Sequence, residues 1–171
     1  SISSRLIIFL VLLVGVLNVG GGYVRLHQRS QILENAARSE LRAHADTLRI
    51  ALEGHFRNDS LQEVQKLIDK VSDDPRIRVD GVVIYKAKGE PAYFSHNLTR
   101  AQIKVPEALE KVKAEANPVY SSYTRNGKDE LSLLEPIDLG KSENGAIEIN
   151  LPTEFMNADI GAARDQIWQL L

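Results

Sequence analysis

Residues 119–137 read VYSSYTRNGKDELSLLEPI, and this stretch decides the fold. Two runs of β-branched, aromatic and aliphatic residues flank Arg125-Asn126-Gly127-Lys128, and Asn-Gly between such runs is the strongest short-range signal for a two-residue hairpin turn. Pairing backward from Arg125 opposite Lys128 sets Tyr123 against Glu130, Ser122 against Leu131, Ser121 against Ser132 and Tyr120 against Leu133. Side chains alternate across a strand, so Tyr120, Leu131 and Leu133 share one face while Ser121, Tyr123, Glu130 and Ser132 share the other. The hairpin thus predicts a sheet with one apolar face and one mixed face.

Working outward, the segment from Ala146 to Leu151 continues the pattern after an exposed Gly140 to Gly145 loop, with Ile147, Ile149 and Leu151 on one side and Glu148 and Asn150 on the other. Upstream, Val79 to Tyr85 and Ala92-Tyr93-Phe94 flank a turn at Gly89 and read as a second hairpin. Between the hairpins lie a polar connector from His96 to about Lys104 and a short helix expected to open at Pro106, with Leu109 and Val112 inward. Ahead of the strands, Leu33, Ala37, Leu41, Ala45, Leu48, Leu52 and Phe56 recur in steps of three and four, the stripe of a long amphipathic helix over Ser30 to Arg57. Ser60-Leu-Gln-Glu63 has the spacing of a capping box and opens a second helix with Leu61, Val64, Leu67, Ile68 and Val71 as its stripe. The expected architecture is α+β, with five strands in one antiparallel sheet, a long N-terminal helix and an exit helix.

The first residues carry a different message. From Leu6 to Val24 the chain is LIIFLVLLVGVLNVGGGYV, close to the ~20 apolar residues that a helix needs to span a bilayer. Residues 6–24 are therefore expected to be a transmembrane helix, with a cleaved signal peptide as the alternative, since Leu6 to Leu17 has the length of a secretory apolar core. At the other end, Trp168 followed by apolar residues reads as the interfacial start of a second span over 166–171. An amphipathic helix packed through Phe155, Ile160, Ile167 and Leu170 is the alternative there. Residues 25–165 form the folded domain on this reading.

Composition narrows the chemistry. With 21 Lys and Arg against 23 Asp and Glu, the 171-residue chain has a formal charge of -2, so no global field favours nucleic acid. There is no cysteine, which excludes disulfides and thiolate chemistry. His27, His44, His55 and His96 lack zinc-site spacing, and no nucleophile-elbow, Walker or dinucleotide-binding motif occurs. No catalytic residue, metal ligand or cofactor is expected in this segment. The residues that invite binding are Ser121, Tyr123, Ser132, Glu148 and Asn150 on the mixed face, with Tyr85 or Tyr93 as further aromatic walls. Covered by the connector they would form a small polar pocket. Uncovered, they would simply face water.

The order of these pieces resembles the single Cache family, PAS-like sensor domains that lie outside the membrane in sensor histidine kinases and chemoreceptors. The resemblance rests on a membrane span, a long helix, a second helix ending in DDPRI, the strand pair DGVVIYKAKGEPAYFS, the connector, the hairpin at 120–137 and GAIEINL. It covers about Ser30 to the end. Lys86-Ala87-Lys88 departs from the Asp that the family often carries before the glycine. The resemblance implies a domain in the periplasm or outside the cell, tethered to the inner membrane and working as a homodimer. Such a domain binds a small ligand and passes a signal to an effector, here most simply a histidine kinase core. The competing expectation is an anchored dimerisation or protein-binding module with no small-molecule ligand.

Overall fold

The computed structural model describes the backbone of residues 2–154, with side chains at residue 28 and from residue 31 to residue 154. The chain divides into two compact units, 1–36 with 155–171, and 37–154. Of the first unit the described part is helical, the start of α1 (Ile2–Arg57). Among the described residues no helix is long and apolar enough to cross a membrane. The expected span at 6–24 falls where side chains are not described, and residues 166–171 lie outside the described residues.

The second unit follows from the periodicities. Along α1, Ala37, Leu41, Ala45, Leu48, Leu52 and Phe56 are all buried, the stripe that the sequence marks out. α2 (Leu61–Asp73) buries Val64 and Ile68, while Leu61 at the end of its stripe stays 43% exposed. Ser60 does occupy the N-cap, but no capping box forms: its side chain makes no cap hydrogen bond, and Glu63 pairs with Lys66 at 2.7 Å. The backbone supplies the closure instead, Glu63 N–H donating to Ser60 O at 3.0 Å. The spacing was right for a cap, yet a lysine one turn away offers the carboxylate a charged partner.

Five strands form one antiparallel sheet in the order β2-β1-β5-β4-β3: β1 (Gly81–Tyr85), β2 (Pro91–Phe94), β3 (Val119–Arg125), β4 (Lys128–Asp138) and β5 (Asn144–Pro152). β3 and β4 pair in the register read from the Asn-Gly turn, Arg125 opposite Lys128 through Tyr120 opposite Leu133. Asn126 and Gly127 have φ of 51° and 78°, the left-handed pair that such a turn requires. β1 starts two residues later than expected: Val79, although buried, and Asp80 approach the sheet ahead of the strand ladder, with Asp80 N–H donating to Asn150 O at 2.8 Å. α3 (Leu109–Glu115) likewise begins after Pro106, whose carbonyl accepts from Leu109 N–H at 3.1 Å in a separate turn.

Both sheet faces are covered, which explains why β1 and most of β5 are buried throughout. One face meets α1, with the Tyr120 hydroxyl donating to Arg38 O at 3.4 Å and Arg38 over the Tyr120 ring. The other meets the connector and α3 through a cluster of Val83, Tyr85, Leu98, Leu109, Val112, Leu134 and Ala146. The connector is stiffened by a 3-10 turn (Arg100–Gln102) that Thr99 and Gln102 close with a reciprocal cap. The polar half of the mixed face therefore lies indoors.

Candidate functional site

Strand register brings the site together. Glu148 on β5 pairs with Val83 on β1 and Leu134 on β4, so its side chain emerges on the connector side amid the mixed face. Its carboxylate is 3% exposed and collects three hydroxyl donors: Tyr85 at 2.7 Å on one oxygen, and Tyr123 and Ser132, each at 3.0 Å, on the other. Asn150, fully buried, stands two residues along. With its amide nitrogen turned to Tyr123 Oη (2.8 Å) and Ser132 Oγ (3.2 Å), its oxygen accepts from Arg125 Nη2 at 3.0 Å. Arg125 also donates to the Tyr123 hydroxyl and lies 5.3 Å over that ring. Converging hydroxyls are how a buried carboxylate is held without water.

The same burial sets the protonation states. Desolvation, reinforced by the Glu148 charge, holds the Tyr85 and Tyr123 phenols well above their ordinary range, so both remain donors. Arg125 opposes that rise at Tyr123. Its side chain is 10% exposed, its Nε stands 3.6 Å from Glu130 Oε2, and its Nη1 has no hydrogen-bond partner. Glu130 is 1% exposed. The connector side of the sheet thus carries two buried carboxylates, Glu130 and Glu148, against one largely buried guanidinium.

Five of the seven residues singled out in the sequence converge: Tyr85, Tyr123, Ser132, Glu148 and Asn150. Ser121 sits on the same face opposite Ser132 but is only half-buried on the edge strand. Tyr93 does not join them. It pairs with Ile84, one residue out of phase with Tyr85, which turns it to the helix face, where it meets Phe56 edge-on at 5.8 Å. Arg125 was visible beside Tyr123 by the two-residue period and Glu130 opposite it by the hairpin register, and Asp80, whose charge helps to raise the Glu130 carboxyl, carried no sequence signal at all. A second feature is apolar: a groove of about 140 Å³ between α1 and α2, lined by His44, Thr47, Leu48, Ala51, Leu67, Val71 and Ile77. Among the described residues no cluster suited to a metal ion occurs.

No protein-family model matches the chain, and no curated protein matches it. Solved structures do. The sensor domain of the V. cholerae histidine kinase DctB is similar over 91% of this chain and 61% of its own, at 12% identity and TM-score 0.58. The ligand-binding domain of the Pseudomonas aeruginosa PAO1 amino acid chemoreceptor PctB, in complex with L-Gln, is similar over 80% and 57%, at 14% identity and TM-score 0.54. That of the chemoreceptor PctC from the same organism, in complex with GABA, covers 78% and 62%, at 12% identity and TM-score 0.51. The chain spans about three-fifths of the length of each. Its fold is that of the sensor domains of chemoreceptors and histidine kinases, a single Cache-like fold, as the resemblance in the sequence implied.

Proposed function

We propose that this chain is an extracytoplasmic sensory input domain that binds a small ligand on the connector side of its sheet and passes a signal across the membrane to a histidine kinase. Residues 6–24 would anchor it, and two copies would work together. The observation that carries the reading is the convergence of Tyr85, Tyr123, Ser132 and Asn150 on the buried Glu148. A structural domain has cheaper ways to fill a core than five mutually dependent polar side chains, since each left unsatisfied costs about 1–3 kcal/mol. Two carboxylates against one guanidinium favour a ligand with an ammonium group, and Arg125 Nη1 offers a donor for its carboxylate. The chemoreceptor domains with the same fold were solved with L-Gln and GABA, which fits an amino acid as the class.

β4 links such a site to α1. Its Glu130 and Ser132 belong to the connector side, while Glu135, one strand face away, meets Arg42 at 3.2 Å and Arg49 at 3.5 Å on α1. Further along, Asp138 N–H donates to Glu53 at 3.3 Å. A ligand that binds two placements of β4 with different affinity would shift α1 by that difference.

A second reading is favoured by one observation. Between Ala37 and Phe56 the exposed residues of α1 include the uncharged Ser39, Ala43, Thr47, Ile50, Ala51 and Gly54, with Ile50 64% exposed, beside the partly exposed side chains of Arg42 and Asp46. The outer side of a surface helix is normally its charged side, so this one suits contact with a second copy. The two readings part in a thermal-shift screen of the full chain against amino acids, amines and small carboxylates. Stabilisation by one chemical class supports the sensor. A flat screen together with a concentration-dependent dimer supports the anchored module without a ligand.

A further inference from the structure

Glu135 is a buried carboxylate on the helix face of the sheet, its side chain 3% exposed. It stands one residue past Leu134, which pairs with Glu148, so β4 carries the floor of the polar cluster and this carboxylate on neighbouring residues of opposite faces. Two guanidiniums of α1 reach it. Arg42 Nη1 lies 3.2 Å from Oε1 and Arg49 Nε 3.5 Å from Oε2, yet neither oxygen accepts a hydrogen bond. One carboxylate is thus divided between two arginines, whereas a carboxylate and a guanidinium bond best fork to fork. On the outer side Asp46 is divided in the same way, Oδ2 3.3 Å from Arg42 Nε and Oδ1 3.4 Å from Arg49 Nη2. Two acids and two arginines close a ring in which only Glu135 belongs to the sheet.

Arg42 and Arg49 stand about two turns apart on α1, so Glu135 cannot close fork to fork on one without leaving the other. α1 and β4 run the same way here, because Glu135 meets Arg42 and Arg49 while Asp138, further along β4, meets Glu53 and Arg57. Closing on Arg42 therefore draws α1 toward its C-terminal end relative to β4, and closing on Arg49 draws it back. Asp46 holds whichever arginine Glu135 releases, which keeps the two arrangements close in energy.

We propose that Glu135 is a two-position contact, closing on Arg42 or on Arg49, through which a shift of β4 sets the axial position of α1. As a step in signalling this rests on the sensor reading above, but the two positions exist without a ligand. A ligand that favours one placement of β4 selects one arginine. A clamp that merely fastens α1 would loosen alike when either arginine is removed, whereas a two-position contact moves in opposite directions.

The test uses the full chain, which has no cysteine, with spin labels on cysteines introduced at the exposed Ala43 of α1 and Lys128 of β4. Lys128 begins β4, so the spacing of the labels runs along the helix. Without ligand, Arg42→Gln should leave Glu135 to Arg49 and shorten the distance by about 1–2 Å, the size of helix shifts in switching proteins, while Arg49→Gln should lengthen it by a like amount. In a Glu135→Gln background both shifts should vanish. Arg42→Lys and Arg49→Lys, which keep the charge and lose the fork, should move the distance in the same two senses, and they serve if a glutamine variant fails to fold. Shifts of one sign, no shift in either variant, or shifts that persist in Glu135→Gln would overturn the two-position contact. Opposite shifts together with no binding in any ligand titration would count against the sensor reading and leave the contact in place.

Discussion

Tyr85 has two tasks that a phenylalanine could share only in part. Its ring belongs to the apolar cluster under the connector, while its hydroxyl donates to Glu148 at 2.7 Å. Tyr85→Phe keeps the ring and deletes the donor, so chemical denaturation should show a loss of about 1–3 kcal/mol. A change within experimental error would mean that Glu148 draws its stability from elsewhere. The polarity of Ser121, Tyr123, Ser132, Glu148 and Asn150 was legible from strand alternation alone, because the turn fixed the register and the register fixed the faces. Tyr93 was misplaced for a related reason: the second hairpin has an irregular register at Ile84 and Tyr85, and nothing in KAKGE says where pairing resumes. Glu135 was also unreadable as a buried residue, since its partners Arg42 and Arg49 lie on a helix some ninety residues away.

At the level of elements, the glycines separate turn chemistry from packing. Gly127 has a φ of 78° with open space around a hypothetical Cβ, so Gly127→Val should cost roughly 1 kcal/mol or more through backbone strain alone. Gly145 faces the opposite problem, because a Cβ there would collide with Tyr85 O and press on Leu139, and Gly145→Ala should be the more damaging change. Gly54 sits exposed in α1 with nothing within 4 Å, and Gly54→Ala should stabilise by about 0.5–1 kcal/mol. Melting curves that rank the three otherwise would contradict the turn and strand assignments. α1, α2 and the five strands were all readable from period; the late starts of β1 and α3 were not, because Asp80 and Pro106 are held by turns and side chains that no local pattern encodes.

For the whole molecule, the sheet divides labour between its faces. Leu133 is fully buried on the α1 side, and Leu133→Ala should cost about 2–5 kcal/mol of stability while leaving ligand preference unchanged. Tyr123→Ala and Glu148→Gln should lose ligand response in a protein that still folds, at about 1–3 kcal/mol of stability for each buried polar partner left unsatisfied. The order of elements carried the reading as far as the fold, but closure of the connector over the mixed face was not legible, since it depends on Asn97, Leu98 and Lys104 meeting Asp80, Gly81 and Tyr85 across the sheet. The most direct test of the proposed ligand site is calorimetric titration of the folded chain with the compound class that stabilises it, beside Tyr123→Ala and Glu148→Gln. Saturable binding to the wild type, abolished in both variants while Leu133→Ala retains it, is the expected result; binding that survives in both variants, or none for any amino acid, amine or small carboxylate, would contradict a ligand site on this face.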